Sequence, residues 1–186
     1  MNAERLPKYA HAEIERRWLV DLASVGSLDG VPYRTIEDLY VPGTGLRLRR
    51  MTGPDGTTVF KFCKKYGKSS ALSEAMTNLY LTAAEHAFLL GCLQGVVVTK
   101  RRHLVEGGAI DLYPGSEGLA VFEREFASEA QAAAYVPPVF ATVEVTADPM
   151  YSGAALAARI GAADAAIGFS IGPAWNRRSR KCSRSA

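Results

Sequence analysis

Four short stretches of the chain set like charges two residues apart inside otherwise apolar runs. Glu13 and Glu15 alternate with Ala12, Ile14 and Arg16, and Arg17 continues their row. Arg47 and Arg49 alternate with Leu46 and Leu48, Lys100 and Arg102 follow Val96–Thr99, and Glu123 and Glu125 share a row with Val121 while Phe122 and Phe126 fall on the other side. In a strand, residues i and i+2 share a face, so each pair holds two like charges roughly 7 Å apart. On the solvated face of an antiparallel sheet such a pair costs little. Four pairs, each of a single sign, point to an enclosed face instead, where the repulsion calls for a counter-charge. Paired carboxylates suit a hard divalent cation such as Mg²⁺ or Mn²⁺, and arginine forks suit phosphate oxygens. A cavity with both would suit a metal-bound polyphosphate, the cation polarising the phosphoryl group and the basic groups holding the chain in line for attack by water.

The elements that must carry these pairs are short and β-rich. Segments rich in Val, Ile, Leu, Phe, Tyr and Thr run over Ala12–Val20, Tyr33–Val41, Gly45–Met51, Thr57–Cys63, Met76–Leu81, Val96–Val105, Ala109–Leu112, Leu119–Phe126 and Ala141–Val145. Turn signals separate them, among them Gly53-Pro-Asp-Gly56, which reads as a hairpin connection. Many short strands with such punctuation predict an α+β fold that is mainly antiparallel β, a barrel or sandwich with a few helices. Helices are predicted after Thr82, where Thr82-Ala-Ala-Glu85 is a capping box, after Ser128 as far as Tyr135, and over the Ala-rich run from Gly153 to Ala166.

Length and composition agree with one globular domain. The chain has 186 residues, 48% hydrophobic and 22% charged, enough to bury a sizeable core. Its apolar runs are too short to cross a bilayer and its first residues lack a signal pattern, so a soluble, cytoplasmic protein is expected. The +3 charge is unevenly placed: the stretch from Asn176 to Ala186 has five basic residues and no acid, which leaves 17 basic against 19 acidic residues elsewhere. A domain over residues 1–172 and a basic, disordered tail over 173–186 is the expected division. Nucleic acid is therefore not the expected partner beyond weak contact through that tail, and the chain is expected as a monomer or homodimer. Cys63, Cys92 and Cys182 form no CxxC and are expected as reduced thiols.

Other motifs fail on spacing. Gly67-Lys68-Ser69 resembles the end of a P-loop, but Phe62 stands where that motif needs glycine. His11, His86 and His103 are too scattered for a metal motif, and no G-x-S-x-G is present. Trp18 shares a face with Ile14 and reads as core.

The charged rows resemble the CYTH, or triphosphate tunnel metalloenzyme, family. Glu13-Ile-Glu15-Arg16-Arg17 resembles its opening E-x-E-x-K signature. Leu46–Arg49, Phe60-Lys61-Phe62, Thr99–Arg102, Ala109–Tyr113, Gly118–Phe126 and Glu144–Thr146 follow in the family's order. The resemblance implies a closed eight-stranded antiparallel barrel that binds a small-molecule triphosphate with Mg²⁺ or Mn²⁺ and hydrolyses it. It implies metal ligands at Glu13, Glu15, Asp111, Glu123 and Glu125, with Glu144 as a further supporting acid. It implies phosphate contacts from Arg47, Arg49, Lys61, Lys100 and Arg102, and catalytic parts for Glu13, Glu15, Arg17 and Lys61. The chain departs from the pattern twice: Arg17 stands where the family usually has lysine, and Ser73–Asn78 offers only Glu74 where many members carry an arginine and two acids. An adenylyl cyclase of class IV type, and a non-catalytic polyphosphate- or nucleotide-binding module, are the alternatives.

Overall fold

The computed structural model describes residues 7–116 and 118–166, so the basic tail and Cys182 lie outside the described residues. Nine antiparallel strands form one sheet: β1 (His11–Val20), β2 (Tyr33–Tyr40), β3 (Leu46–Thr52), β4 (Thr58–Lys68), β5 (Ser73–Leu81), β6 (Val96–Val105), β7 (Gly108–Leu112), β8 (Ala120–Glu125) and β9 (Ala141–Glu144). Their order is β5-β4-β3-β2-β6-β7-β8-β1-β9, and a further pairing of β1 with β5 closes the first eight into a barrel. The ten residues of β1 make this possible. Its His11–Ile14 half pairs with β5, Glu15–Leu19 pairs with β8, and Trp18–Val20 pairs with β9.

All nine expected strands are present, and the two that differ most in extent border the site. β4 runs on to Lys68 and β5 begins at Ser73, both beyond the expected limits. Lys64, Lys65 and Lys68 mask the apolar alternation there, although the backbone ladder with β5 continues through Lys68↔Glu74 with a bulge. Gly45 allows the neighbouring loop to approach this ladder, because a Cβ at that position would stand 2.1 Å from the Lys65 carbonyl oxygen.

The barrel has apolar layers outside and inside. Outside, Trp18, Ile110 and Phe122 pack with Phe140 and Ala141, and Tyr135 lies against Trp18 at 5.7 Å between ring centroids. This layer sits beneath α3 (Glu129–Ala134), whose Ser128 cap accepts from the Gln131 amide. Inside, Val98, Tyr113 and Val121 pack on Leu156, Ala157 and Ile160 of α4 (Gly153–Ala166). The interior is therefore apolar beside α4 and charged further along. The capping box opens α2 (Ala83–Cys92) with both of its bonds made. Two short pieces were not foreseen, α1 (Leu22–Val25) and a 3₁₀ turn at Pro149–Tyr151, each too brief to carry a periodic pattern and each started by an Asp cap. Among the described residues no helix is long and apolar enough to cross a membrane. Cys63 is buried and Cys92 exposed, and neither is in a disulfide.

Phe122 is fully buried and faces Phe140 edge-on at 5.4 Å. Phe122→Ala is expected to destabilise the fold by about 3–5 kcal/mol, read as a lowered midpoint in urea.

Candidate functional site

The four like-charged pairs converge. A cavity of about 350 Å³ in the barrel is lined by Glu13, Glu15 and Arg17 from β1, Arg47 and Arg49 from β3, Lys100 and Arg102 from β6, and Glu123 and Glu125 from β8. It is at the small end of the roughly 300–1,000 Å³ range of ligand sites. Further groups complete the wall that the sequence reading did not assign to it: Tyr40 from β2, Cys63, Lys65 and Lys68 from β4, and the segment Thr146–Ala154 that leads into α4. Glu74 of β5, noted there only as that strand's one acid, lines the wall too.

Neighbouring strands neutralise the pairs. Asp38 of β2 is fully buried between Arg47 and Arg49; Arg49 donates to both of its oxygens at 2.7 and 2.8 Å, and Arg47 Nε lies 3.8 Å away. Asp111 of β7 holds the Lys100 and Arg102 pair in the same way, accepting from both cations. Arg102 also donates to Glu123. Lys65 donates to Glu13 at 2.8 Å and to Glu74 at 3.0 Å. Asp38 had no place among the expected site residues, yet an acid flanked at alternate positions by Ile36 and Tyr40 in a strand was the available signal.

Three expected site residues take other places. Asp111, expected as a metal ligand, is fully buried, does not line the cavity, and has its oxygens taken by Lys100 and Arg102. Lys61, expected at the phosphates and in catalysis, shares a face of β4 with Cys63 and Lys65 but does not line the cavity; its ammonium lies 4.9 Å over the Tyr80 ring. Glu144, on β9, binds Arg16 in a two-bonded ion pair away from the cavity.

Arg17 ties the wall together. Its guanidinium donates to the carbonyls of Tyr151 and Thr146, and Lys68 donates to the same Thr146 carbonyl at 2.9 Å. Gly153 lies where a Cβ would come within 2.2 Å of the Tyr40 hydroxyl, so α4 starts directly against the wall. The Nε groups of Arg17 and Arg47 are buried without a hydrogen-bond acceptor. A buried donor without an acceptor is costly, and a carboxylate beside each offsets part of that cost, Glu15 at 3.6 Å from Arg17 Nε and Asp38 at 3.8 Å from Arg47 Nε.

The titration of the acids follows their neighbours. Burial pushes Glu15 up, and the charges of Glu123 and Glu13 add to it, to about 7, against the opposing pull of Lys65 and Arg17. Burial acts upward on Glu123 as well, but Lys100, Arg102, Arg17 and Arg49 outweigh it and hold this carboxyl well below the usual range. Lys65 is held above the ordinary lysine range because Glu13 and Glu15, with Glu74, outweigh the burial that pulls it down. Asp38 stays ionised because Arg49 and Arg47 overcome its burial.

The raised Glu15 gives a signed expectation. The folded protein binds this proton more tightly than the unfolded chain, so the stability it contributes is present below pH 4.5 and lost as pH rises through about 7. Metal-free Glu15→Gln should therefore melt above the wild type at pH 8 by a few degrees, with the difference closing toward pH 4.5; a difference independent of pH contradicts this. Asp38→Asn leaves two enclosed guanidiniums facing each other and is expected to cost about 3–5 kcal/mol in chemical denaturation.

No protein-family model matches the chain. The inorganic triphosphatase of Nitrosomonas europaea is 32% identical to it over 154 residues, which span 80% of this chain and 98% of that protein. Among solved structures, that of the inorganic triphosphatase NE1496 is 27% identical with a TM-score of 0.46, over 78% of this chain and 93% of its own. The PH1012 protein of Pyrococcus horikoshii OT3 is 14% identical with a TM-score of 0.43, over 65% and 83%. A relative matched over nearly its whole length, together with an eight-stranded barrel that brings the alternating charged rows of β1, β3, β6 and β8 into one cavity, identifies the chain as a member of the CYTH, or triphosphate tunnel metalloenzyme, family.

Proposed function

We propose that the protein hydrolyses a triphosphate in the barrel cavity with the help of Mg²⁺ or Mn²⁺, and that inorganic tripolyphosphate is the first substrate to test, because the 32% identical relative is named an inorganic triphosphatase. The observation that carries this reading is the cavity wall itself, in which cations from β1, β3, β4 and β6 face carboxylates from β1, β5 and β8.

The donor set suits a hard cation that arrives with its substrate. Among the described residues no three His, Cys, Asp or Glu side chains form a closed metal site. Mg²⁺ commonly takes one or two carboxylates and fills its remaining positions with water and phosphate oxygens. Glu15 and Glu125, directly opposed across β1 and β8, supply two carboxylates on the cavity wall. When bound there, the cation would neutralise phosphate charge and polarise the phosphoryl group under attack.

The chain's own groups do the positioning. Arg47 and Arg49 present donors fixed by Asp38, and Lys100 and Arg102 present donors fixed by Asp111, so the phosphate wall is organised before substrate enters. Glu123, ionised beside Arg102, keeps that guanidinium turned toward the cavity. The raised pKa of Glu15 belongs to the empty cavity, and a cation between Glu15 and Glu125 would hold both carboxylates ionised. Arg17 shapes the cavity through its carbonyl bonds.

Phosphate release from tripolyphosphate, thiamine triphosphate, ATP and pyrophosphate, each with Mg²⁺ or Mn²⁺, tests the reading. Metal-dependent release from a triphosphate is expected, and Arg102→Ala should lower kcat by roughly 10²–10³-fold. Glu123→Gln should likewise abolish the release. Tight binding of tripolyphosphate with no turnover would overturn hydrolysis, and cyclic AMP with pyrophosphate from ATP would reassign the reaction as cyclisation.

A further inference from the structure

β1 meets a glutamate of its partner strand on each of its two edges. Toward β5, Glu13 stands directly opposite Glu74; toward β8, Glu15 stands directly opposite Glu125. Directly opposed residues carry Cβ atoms about 4.5–5.5 Å apart, and like charges so placed repel, yet two such carboxylates can share one cation. All four line the cavity.

The two pairs are treated differently. Between Glu13 and Glu74 stands the Lys65 ammonium, hydrogen-bonded to an oxygen of each. Lys65 reaches this point because β4 continues past Cys63 with its odd-numbered side chains turned inward. Within ion-pair distance among the described residues, Glu15 has only the Arg17 Nε, 3.6 Å away and not hydrogen-bonded, and Glu125 has no partner, although the Lys65 charge is also felt at Glu15. One pair is thus closed by a cation of the chain's own, and the other is left for a cation from outside.

We infer that Lys65 is a resident counter-cation: its ammonium holds the Glu13 and Glu74 position, so that each chain takes a single exchangeable divalent ion, between Glu15 and Glu125. This rests on the reading of the cavity as a divalent-cation site and adds the number of ions and their placement. The covalently tethered charge also joins β4 to β1 across β5, where the barrel closes. The interior then keeps one fixed and one exchangeable positive charge along β1.

Mn²⁺ binding to the full chain without substrate, counted by equilibrium dialysis and by the loss of the free Mn²⁺ electron paramagnetic resonance signal, tests the inference. The wild type is expected to retain one ion per chain and Lys65→Met two. Metal-free Lys65→Met should melt below the wild type and recover on adding Mn²⁺, because the ion replaces the lost charge. Two ions per wild-type chain, none, or one in both proteins would overturn the proposal, and the wild-type count stands even if Lys65→Met does not fold. The double variant Lys65→Met/Glu74→Gln, in which the repulsion is removed, should return to one ion per chain. Metal-dependent phosphate release by the wild type is measured separately, so a failed count with release intact overturns the placement of Lys65 alone.

Discussion

Charges enclosed by a barrel must be balanced by other charges within reach, and the whole interior is organised by that requirement. Two arginines or two lysine-like groups on one strand face are tolerable in water, but removal from solvent raises the cost of each many times over. Here the compensation comes from the adjacent strand. Asp38 lies in register with Arg49 across β2 and β3, and Asp111 lies in register with Arg102 across β6 and β7. Each acid therefore reaches both members of the neighbouring basic pair. The balance has a second effect, since a guanidinium held by a buried carboxylate loses little further freedom when it binds a ligand.

The same rule makes β1 the critical strand. It closes the barrel by pairing with β5, continues with β8, and sends Glu13, Glu15 and Arg17 inward while Trp18 turns out to the apolar layer. Its Arg17 is directly opposite Glu123 on β8 and bonds to the segment that leads into α4. The element that closes the fold is thus also the one that carries the most site residues. A change in register by one residue would turn all three charges out and bring Ile14 and Trp18 in, so the barrel cannot form in the wrong register without losing both its core and its site.

The alternation of charge with apolar residues was enough to place nine strands and to bring four pairs to one face, because a two-residue period survives in a single sequence. The groups that balance those pairs were harder to see. Asp38 looks like an ordinary surface acid beside Glu37; its flanking by Ile36 and Tyr40 hints at an inner face, and the register of β2 against β3 shows that Asp38 is fully buried while Glu37 meets the partly exposed Arg50. Lys65 fell past the expected end of its strand, where three lysines hide the pattern. Asp111 was seen, but its two cations come from a different strand, and no spacing along the chain reveals that they occupy it. Local patterns thus gave the strands, and cross-strand partners decided which charged groups remain available.

The distribution of those partners bears on how such a cavity could bind a triphosphate without holding it too firmly. A wall of unbalanced cations would bind a polyanion tightly and equally well before and after reaction, which does not lower a barrier. A wall already balanced by Asp38 and Asp111 presents positive groups whose charge is partly spent, so a phosphate gains from the aimed donors more than from bulk attraction. The Glu15 and Glu125 pair, to which no cation is hydrogen-bonded among the described residues, is then where the interior remains incomplete. That deficit asks for positive charge, and a metal-bound phosphate chain would supply it while offering its own oxygens to the aimed donors.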